Sequence, residues 1–351
     1  MPSCMSPLFR AVLLMQSYKR TSADRHMVWR DTCKGGQPMK CIVTGAAGFI
    51  GSYLCFYLKS KGHNVVPLGR KLPQSFLNAL QPEEWLEADV TSEQTPQLNA
   101  KADLIIHLAS ANEVVSRNVQ AGLAVSVLGT KNMLDMAVHN GIPHFLFFST
   151  LQVYGTEPVG RLIESGPVAP VNDYALNHLF AEHYVEMYTR KGLLRGAVIR
   201  PANVFGKFSA ETVNRWTMVP ACFCLEAVEQ QTITIRSSGK QTRNFVSLEN
   251  VSRAAEAVAV HFPDTYTVVH AASGRTVSIE EVALMTSHIY KELTGIEAVV
   301  CKTNAEPQAS NVFSVSLEKL ASFPGYAPDE KMTLETEIRG LLMSLLERDG
   351  Q

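Results

Sequence analysis

The stretch DYALNHLFAEHYVE, residues 173–186, sets a tyrosine and a histidine four positions apart, Tyr174 and His178. On a helix that spacing stacks both side chains on one face. A phenol beside an imidazole is a candidate proton-transfer pair. An unperturbed phenol titrates near pH 10, so Tyr174 acts as a base near neutrality only beside a cation. An imidazole with its ordinary pKa of about 6.5 is mostly neutral at pH 7. His178 can therefore donate one hydrogen bond or relay a proton, but it supplies little fixed charge. The plain alternative for both residues is packing on a helix face. His183, five positions further on, falls off that face and has no assigned role.

A second constellation lies upstream. VTGAAGFIG, residues 43–51, spaces Gly45, Gly48 and Gly51 where an apolar strand turns into a helix. Glycine lets a backbone turn tightly and approach a pyrophosphate, to which the helix N-terminus offers N–H donors. The spacing is G-x-x-G-x-x-G rather than the commoner G-x-G-x-x-G. Such glycines can also serve strand–helix packing alone, but the strand before and the helix after favour a dinucleotide site. The next strand ends in Gly69 and Arg70. An NAD site usually has a carboxylate there for the ribose hydroxyls. Open space and a cation suit a 2′-phosphate instead, which favours NADP over NAD.

These groups need a frame, and the pattern supplies one. KCIVTG, HNVVPLG, ADLIIHLAS, PHFLFFST and LLRGAVIRP are apolar runs of strand length. Helical stretches separate them: FIGSYLCFYLKSKG, LAVSVLGTKNMLDMAVHNG and the segment bearing Tyr174. Such alternation implies right-handed crossovers and an α/β doubly wound parallel sheet with helices on both faces. After Pro201 the alternation loosens. QTITIRSSG and YTVVHAAS are strands; SLENVSRAAEAVAVHF, VSIEEVALMTSHIYKEL and TLETEIRGLLMSLLE are helices. The expected organisation is a cofactor domain over 39–202 with later returns near 245–272, and a smaller entwined substrate lobe over 203–351. Residues 1–38 show no folded pattern. They are read as an extension that is disordered or precedes the natural start at Met39.

Composition narrows the function classes. Lysine and arginine number 32 against 33 acids, interspersed, so no basic footprint for nucleic acid exists. The seven cysteines, with Cys222 and Cys224 one residue apart, form no metal or disulfide pattern. They read as free thiols in a reducing compartment, hence a cytoplasmic protein without a metal. No apolar run reaches the ~18 residues of a membrane span. LFRAVLLMQ near the start is short, broken by Arg10 and without a cleavage site.

In order along the chain, TGAAGFIG, ADV (88–90), IIHLAS, GTKNML, FFSTLQVYG, the Tyr174 motif, IRPANVFG and SSGKQTRNFVSLENV occur. This ordered set resembles the extended short-chain dehydrogenase/reductase family, in its nucleotide-sugar epimerase, dehydratase and reductase branch. The likeness runs from Met39 to about Arg339 and implies a Rossmann sheet binding NADP or NAD. By resemblance, the cofactor meets Gly45, Ala47, Gly48, Phe49, Ile50 and Gly51, then Arg70, Asp89 and Val90. It also passes Leu108, Ala109, Ser110 and Pro201, and reaches Tyr174 and His178. The resemblance makes Tyr174 the acid/base and Thr150 the hydroxyl that holds the reacting oxygen. His178 stands where the family has lysine, which weakens electrostatic activation of Tyr174. Asn203 and Arg243 match residues that meet the sugar or its diphosphate, and Thr150 also faces substrate.

The reaction is narrowed by an absence. Dehydratase members carry an acidic pair after the threonine, and Leu151 and Gln152 cannot replace it. The resemblance favours an epimerase acting on a nucleotide-diphosphate sugar. An NADP-dependent reductase of a keto sugar or other carbonyl is the first alternative. A catalytically weakened dinucleotide-binding or regulatory protein is the second, carried by His178. The partners implied are a small-molecule substrate and a second copy as homodimer, with neither nucleic acid nor membrane.

Overall fold

The computed structural model describes residues 37–92, 101–207, 216, 218–303 and 312–349. The apolar runs become short strands because valine, isoleucine and phenylalanine suit a pleated surface buried on both sides. Seven of them form one parallel sheet: β1 (Lys40–Thr44), β2 (Asn64–Gly69), β3 (Leu86–Glu87), β4 (Leu104–His107), β5 (His144–Phe148), β7 (Arg195–Pro201) and β11 (Thr267–Ala271). Their order is β3-β2-β1-β4-β5-β7-β11. The order reverses between β1 and β4, which is where doubly wound sheets open a crevice for ligands. The α/β Rossmann architecture is thus established.

Alternate residues feed two cores, as a period of two requires. Cys41, Val43, Leu104, Ile106 and Leu146 face helices α1 (Phe49–Ser60) and α8 (Leu248–Val260). Ile42, Val66, Ile105, Phe145 and Phe147 face α5 (Gly129–His139) and α6 (Asp173–Arg190). Helix α2 is Gln74–Leu80, and α3 (Glu113–Ser116) and α4 (Val119–Leu123) follow β4. The expected single helix over 123–141 is interrupted: residues Ala124–Leu128 form a π-helical segment before α5. There the Ser126 hydroxyl accepts from Ala111 N (3.0 Å) and its carbonyl accepts from Thr130 Oγ1 (2.5 Å). Such widened turns are frequent beside functional sites.

The remaining strands are β6 (Gly160–Leu162), β8 (Asn203–Phe205), β9 (Thr232–Ile235), β10 (Thr242–Ser247), β12 (Thr276–Ser278), β13 (Val299–Lys302) and β14 (Phe313–Val315). A three-stranded sheet β12-β10-β8 forms next to the main sheet's C-terminal ends, since β8 follows β7 after a single residue. Helices α7 (Val219–Gln230), α9 (Ile279–Thr294) and α11 (Leu334–Asp349) pack around Phe245, Ile233, Val282 and Leu342; α10 is Glu318–Ala321. Helix α7 escapes the sequence pattern because small and apolar residues run along it without a clear polar face. Its start is marked instead by Pro220 in the first turn. Among the described residues, no helix is long and apolar enough to cross a membrane.

Candidate active site

The glycine turn has the shape that its sequence suggests. Gly45 holds φ at +66°, and a side chain there would meet Ala109 N at 2.9 Å. A Cβ on Gly51 would lie 2.2 Å from Gly45 O, so the first turn of α1 closes on β1 only with glycine. Gly48 caps α1 without a side chain, and no acid lies in the first turn. The positive helix end and its N–H groups are thereby left to an anion. Phe49 is buried against Leu248, so it and its neighbours Ala47 and Ile50 can serve a cofactor chiefly through backbone. These residues fit a dinucleotide pyrophosphate.

Further along the crevice, Arg70 is exposed after β2. Asp89 Oδ1 accepts from the Thr91 amide and hydroxyl, both at 2.9 Å. Those bonds, with help from the Arg70 charge, hold its carboxyl below the usual range. Val90 is buried, and its carbonyl accepts from Asn132 Nδ2 at 2.9 Å. The Ser110 hydroxyl lies 2.8 Å from that of Ser126 in the π-helical segment.

At the switch point sits His107, fully buried. Thr130 spends its proton on the Ser126 carbonyl, so His107 Nε2–H must donate to Thr130 Oγ1 (3.2 Å). Nδ1 then accepts from Thr44 Oγ1 at 2.7 Å. Thr44 in turn accepts the amides of Leu108 and Ala109, both at 3.1 Å. One imidazole thus fastens the β4 exit to β1. Burial, with the nearby His178, drives its pKa down to about 3.

The candidate catalytic groups stand on the turn after β5 and on the first turns of α6, two segments that Gln152 and Asn172 join. Thr150 is buried and caps a 3₁₀ turn over Leu151–Tyr154, its Oγ1 accepting from Gln152 N at 3.2 Å. Gln152 Oε1 accepts from Asn172 Nδ2 (3.2 Å), and Asn172 Oδ1 caps α6 through Ala175 N (2.8 Å). Tyr174 is half-buried, its ring centroid 4.4 Å from that of His178. A carbonyl can only accept, so His178 Nδ1 carries a proton and donates to Tyr174 O at 2.8 Å. The ring lies 6.1 Å from Phe147 and is 3% exposed. Burial lowers its pKa, while the Tyr174 carbonyl, Glu182 and Glu113 partly oppose the fall. His178 is therefore neutral near pH 7, with Nε2 as acceptor. His183 is exposed and near Glu186 (3.5 Å).

Behind these groups lies a buried polar network that sequence reasoning missed. Glu182, one turn after His178, receives Arg200 Nε (2.9 Å) and Nη2 (2.6 Å) together with the Ser149 hydroxyl. Arg200 Nη1 donates to Tyr154 OH (2.6 Å), which lies 2.7 Å from His270 Nε2. The network joins the neighbour of Thr150, the Tyr174 helix and the neighbour of Pro201. An arginine closing the apolar run LLRGAVIRP, with glutamate at i+4 from His178, was the available signal.

In the second sheet, β8 and β10 run parallel with Asn203 opposite Phe245. Asn203 and Arg243 thus reach one small sheet. Asn203 Nδ2 donates to Asn244 O (2.9 Å), and Arg243 Nη1 to Thr242 O (2.9 Å). The Arg243 guanidinium is half-buried, and desolvation lowers its proton affinity against the opposing charge of Glu157.

A doubly wound parallel sheet whose first strand turns into a helix through closely packed glycines is the architecture of dinucleotide-binding folds. Residues 41–299 match the NAD dependent epimerase/dehydratase family, and the chain belongs to that family. It is 33% identical over 224 residues to UDP-glucose 4-epimerase of Mycolicibacterium smegmatis, covering 61% of this chain and 71% of the relative. It is 26% identical over 295 residues to dTDP-L-rhamnose 4-epimerase of Burkholderia thailandensis, covering 72% and 81%. Among solved structures, UDP-glucuronic acid 4-epimerase from Bacillus cereus in complex with NAD superposes with a TM-score of 0.74. That pair is 22% identical and covers 88% of this chain and 97% of the other.

Proposed function

We propose that the chain is an NAD(P)-dependent epimerase-type oxidoreductase acting on a nucleotide-diphosphate sugar. The observation that carries this is the Tyr174–His178 pair, ring against ring at 4.4 Å and 54° and tied through Asn172 and Gln152 to Thr150 at the sheet's C-terminal edge. The dinucleotide supplies the centre that takes and returns hydride. Thr150 holds the reacting oxygen, and Tyr174 removes and returns its proton. His178 orients Tyr174 through its backbone bond and offers Nε2 to a ribose hydroxyl. Arg243 takes the diphosphate, for which a planar cation is suited, with Asn203 beside it. Glycines 45, 48 and 51 cradle the pyrophosphate, Leu108, Ala109, Ser110 and Pro201 line the path toward the nicotinamide, and Asp89 and Val90 border the adenine. Residues 39–202 with β11 serve the cofactor, and the β8–β10–β12 side serves the sugar.

A second reading, an NADP-dependent reductase, is favoured by Gly69 and the exposed Arg70 after β2. The solved relative from Bacillus cereus holds NAD, so the cofactor is the discriminating point. Exposed Leu176, Phe180 and Met187 along α6 suit a second copy of the chain. Native mass spectrometry, followed by denaturation and analysis of the released nucleotide, tests these points together. About one dinucleotide per chain in a dimer supports an epimerase that recycles its cofactor, and the nucleotide mass decides NAD against NADP. Empty protein that turns over added NADPH favours the reductase; a monomer removes the dimer.

Replacing His178 with lysine is expected to raise turnover near neutral pH about tenfold. A cation beside a phenol lowers its pKa by about 1–3 units, and Glu182 and Glu113 are placed to keep an ammonium charged. The pH–rate profile should move to lower pH by about one unit. Loss of a measurable wild-type activity in this variant would assign the imidazole a specialised role.

A further inference from the structure

We propose that Glu113 sets the sugar selectivity of this site, admitting neutral sugars and disfavouring uronic acids. The inference rests on the nucleotide-sugar reading above. Leu151 and Gln152 leave the 3₁₀ turn after Thr150 without an acid, yet the fold returns a carboxylate to the same place. Glu113 opens α3, where Asn112 caps the helix by accepting from Val114 N (3.0 Å) and Val115 N (2.9 Å). Its Oε1 accepts from Gln152 Nε2 at 2.7 Å. The same Gln152 donates to Thr150 through its backbone N–H and accepts from Asn172 at its side-chain Oε1. Gln152, through its backbone and side-chain amides together, therefore connects this carboxylate with the turn of Thr150 and the cap of the Tyr174 helix.

The partner of Glu113 is a neutral amide, and no described lysine or arginine forms an ion pair with it. Its exposed carboxylate lies beside the turn of Thr150, close enough to act on His178. A hexose whose reacting hydroxyl is held at Thr150 carries its neighbouring substituents within a side chain's length. A carboxylate on that ring meets like charge, which works against binding and helps to set specificity. A neutral hydroxymethyl group meets a hydrogen-bond acceptor instead.

Titration calorimetry on protein as purified tests this. UDP, dTDP and GDP first identify the accepted nucleotide; its glucose and glucuronate forms are then compared. Wild type should bind the glucose form at least about tenfold more tightly, and Glu113→Gln should bring the two within about threefold. Glu113 is exposed, so the substitution leaves the core intact. An unchanged ratio in the variant, or equal binding by wild type, overturns the inference alone. Failure of all three nucleotides to bind overturns the nucleotide-sugar reading and this inference with it.

Discussion

Replacing Tyr174 with phenylalanine is expected to lower turnover by roughly 10²–10⁴-fold, the range for loss of a positioned acid/base. The ring and its tilted contact with His178 survive, so the backbone bond from His178 Nδ1 to Tyr174 O is undisturbed. Only the hydroxyl is lost. Nucleotide content after purification should match wild type, because the glycine turn, Thr44 and His107 lie on other elements. The pairing of lost turnover with retained cofactor separates a proton-transfer role from a packing role. Unaltered turnover would remove Tyr174 from the mechanism.

The second large effect concerns stability. Glu182→Ala strands the Arg200 guanidinium in the interior with only Tyr154 OH and backbone to receive it. Arg200 is 5% exposed and Glu182 2%. Removing one member of such a pair typically costs about 3–5 kcal/mol, because the other charge is left uncompensated. The expected result is a urea midpoint lowered accordingly at unchanged slope. The double change Glu182→Leu with Arg200→Met should recover most of the stability, because no buried charge remains. Turnover should stay low in the double variant if the network also holds Thr150 and Tyr174 in place. A loss below about 1 kcal/mol for Glu182→Ala would show the pair to be far better solvated than its burial indicates.

The sheet class is legible in the chain alone, because alternating apolar runs and helical stretches leave a parallel, doubly wound arrangement as the economical solution. The glycine turn is equally legible, since glycine takes φ near +66° at Gly45 without strain and no Cβ could fit 2.2 Å from Gly45 O at Gly51. The shared face of Tyr174 and His178 follows from helical spacing alone. Local signals of this kind survive because they depend on a few adjacent residues. Tertiary structure decided the rest. The charge state of His178 is set by burial beneath Phe147 and by carboxylates from α3 and α6, which no spacing reveals. Glu182 met Arg200 only once α6 lay across β7, and Asn203 came opposite Phe245, two positions along β10 from Arg243, only through the β8–β10 register. Glu113 reached Gln152 across 39 positions, because two separate strands of the sheet end at the same edge. Long-range juxtaposition places these charges, and their electrostatics follow from where the chain folds them, not from where they stand in it.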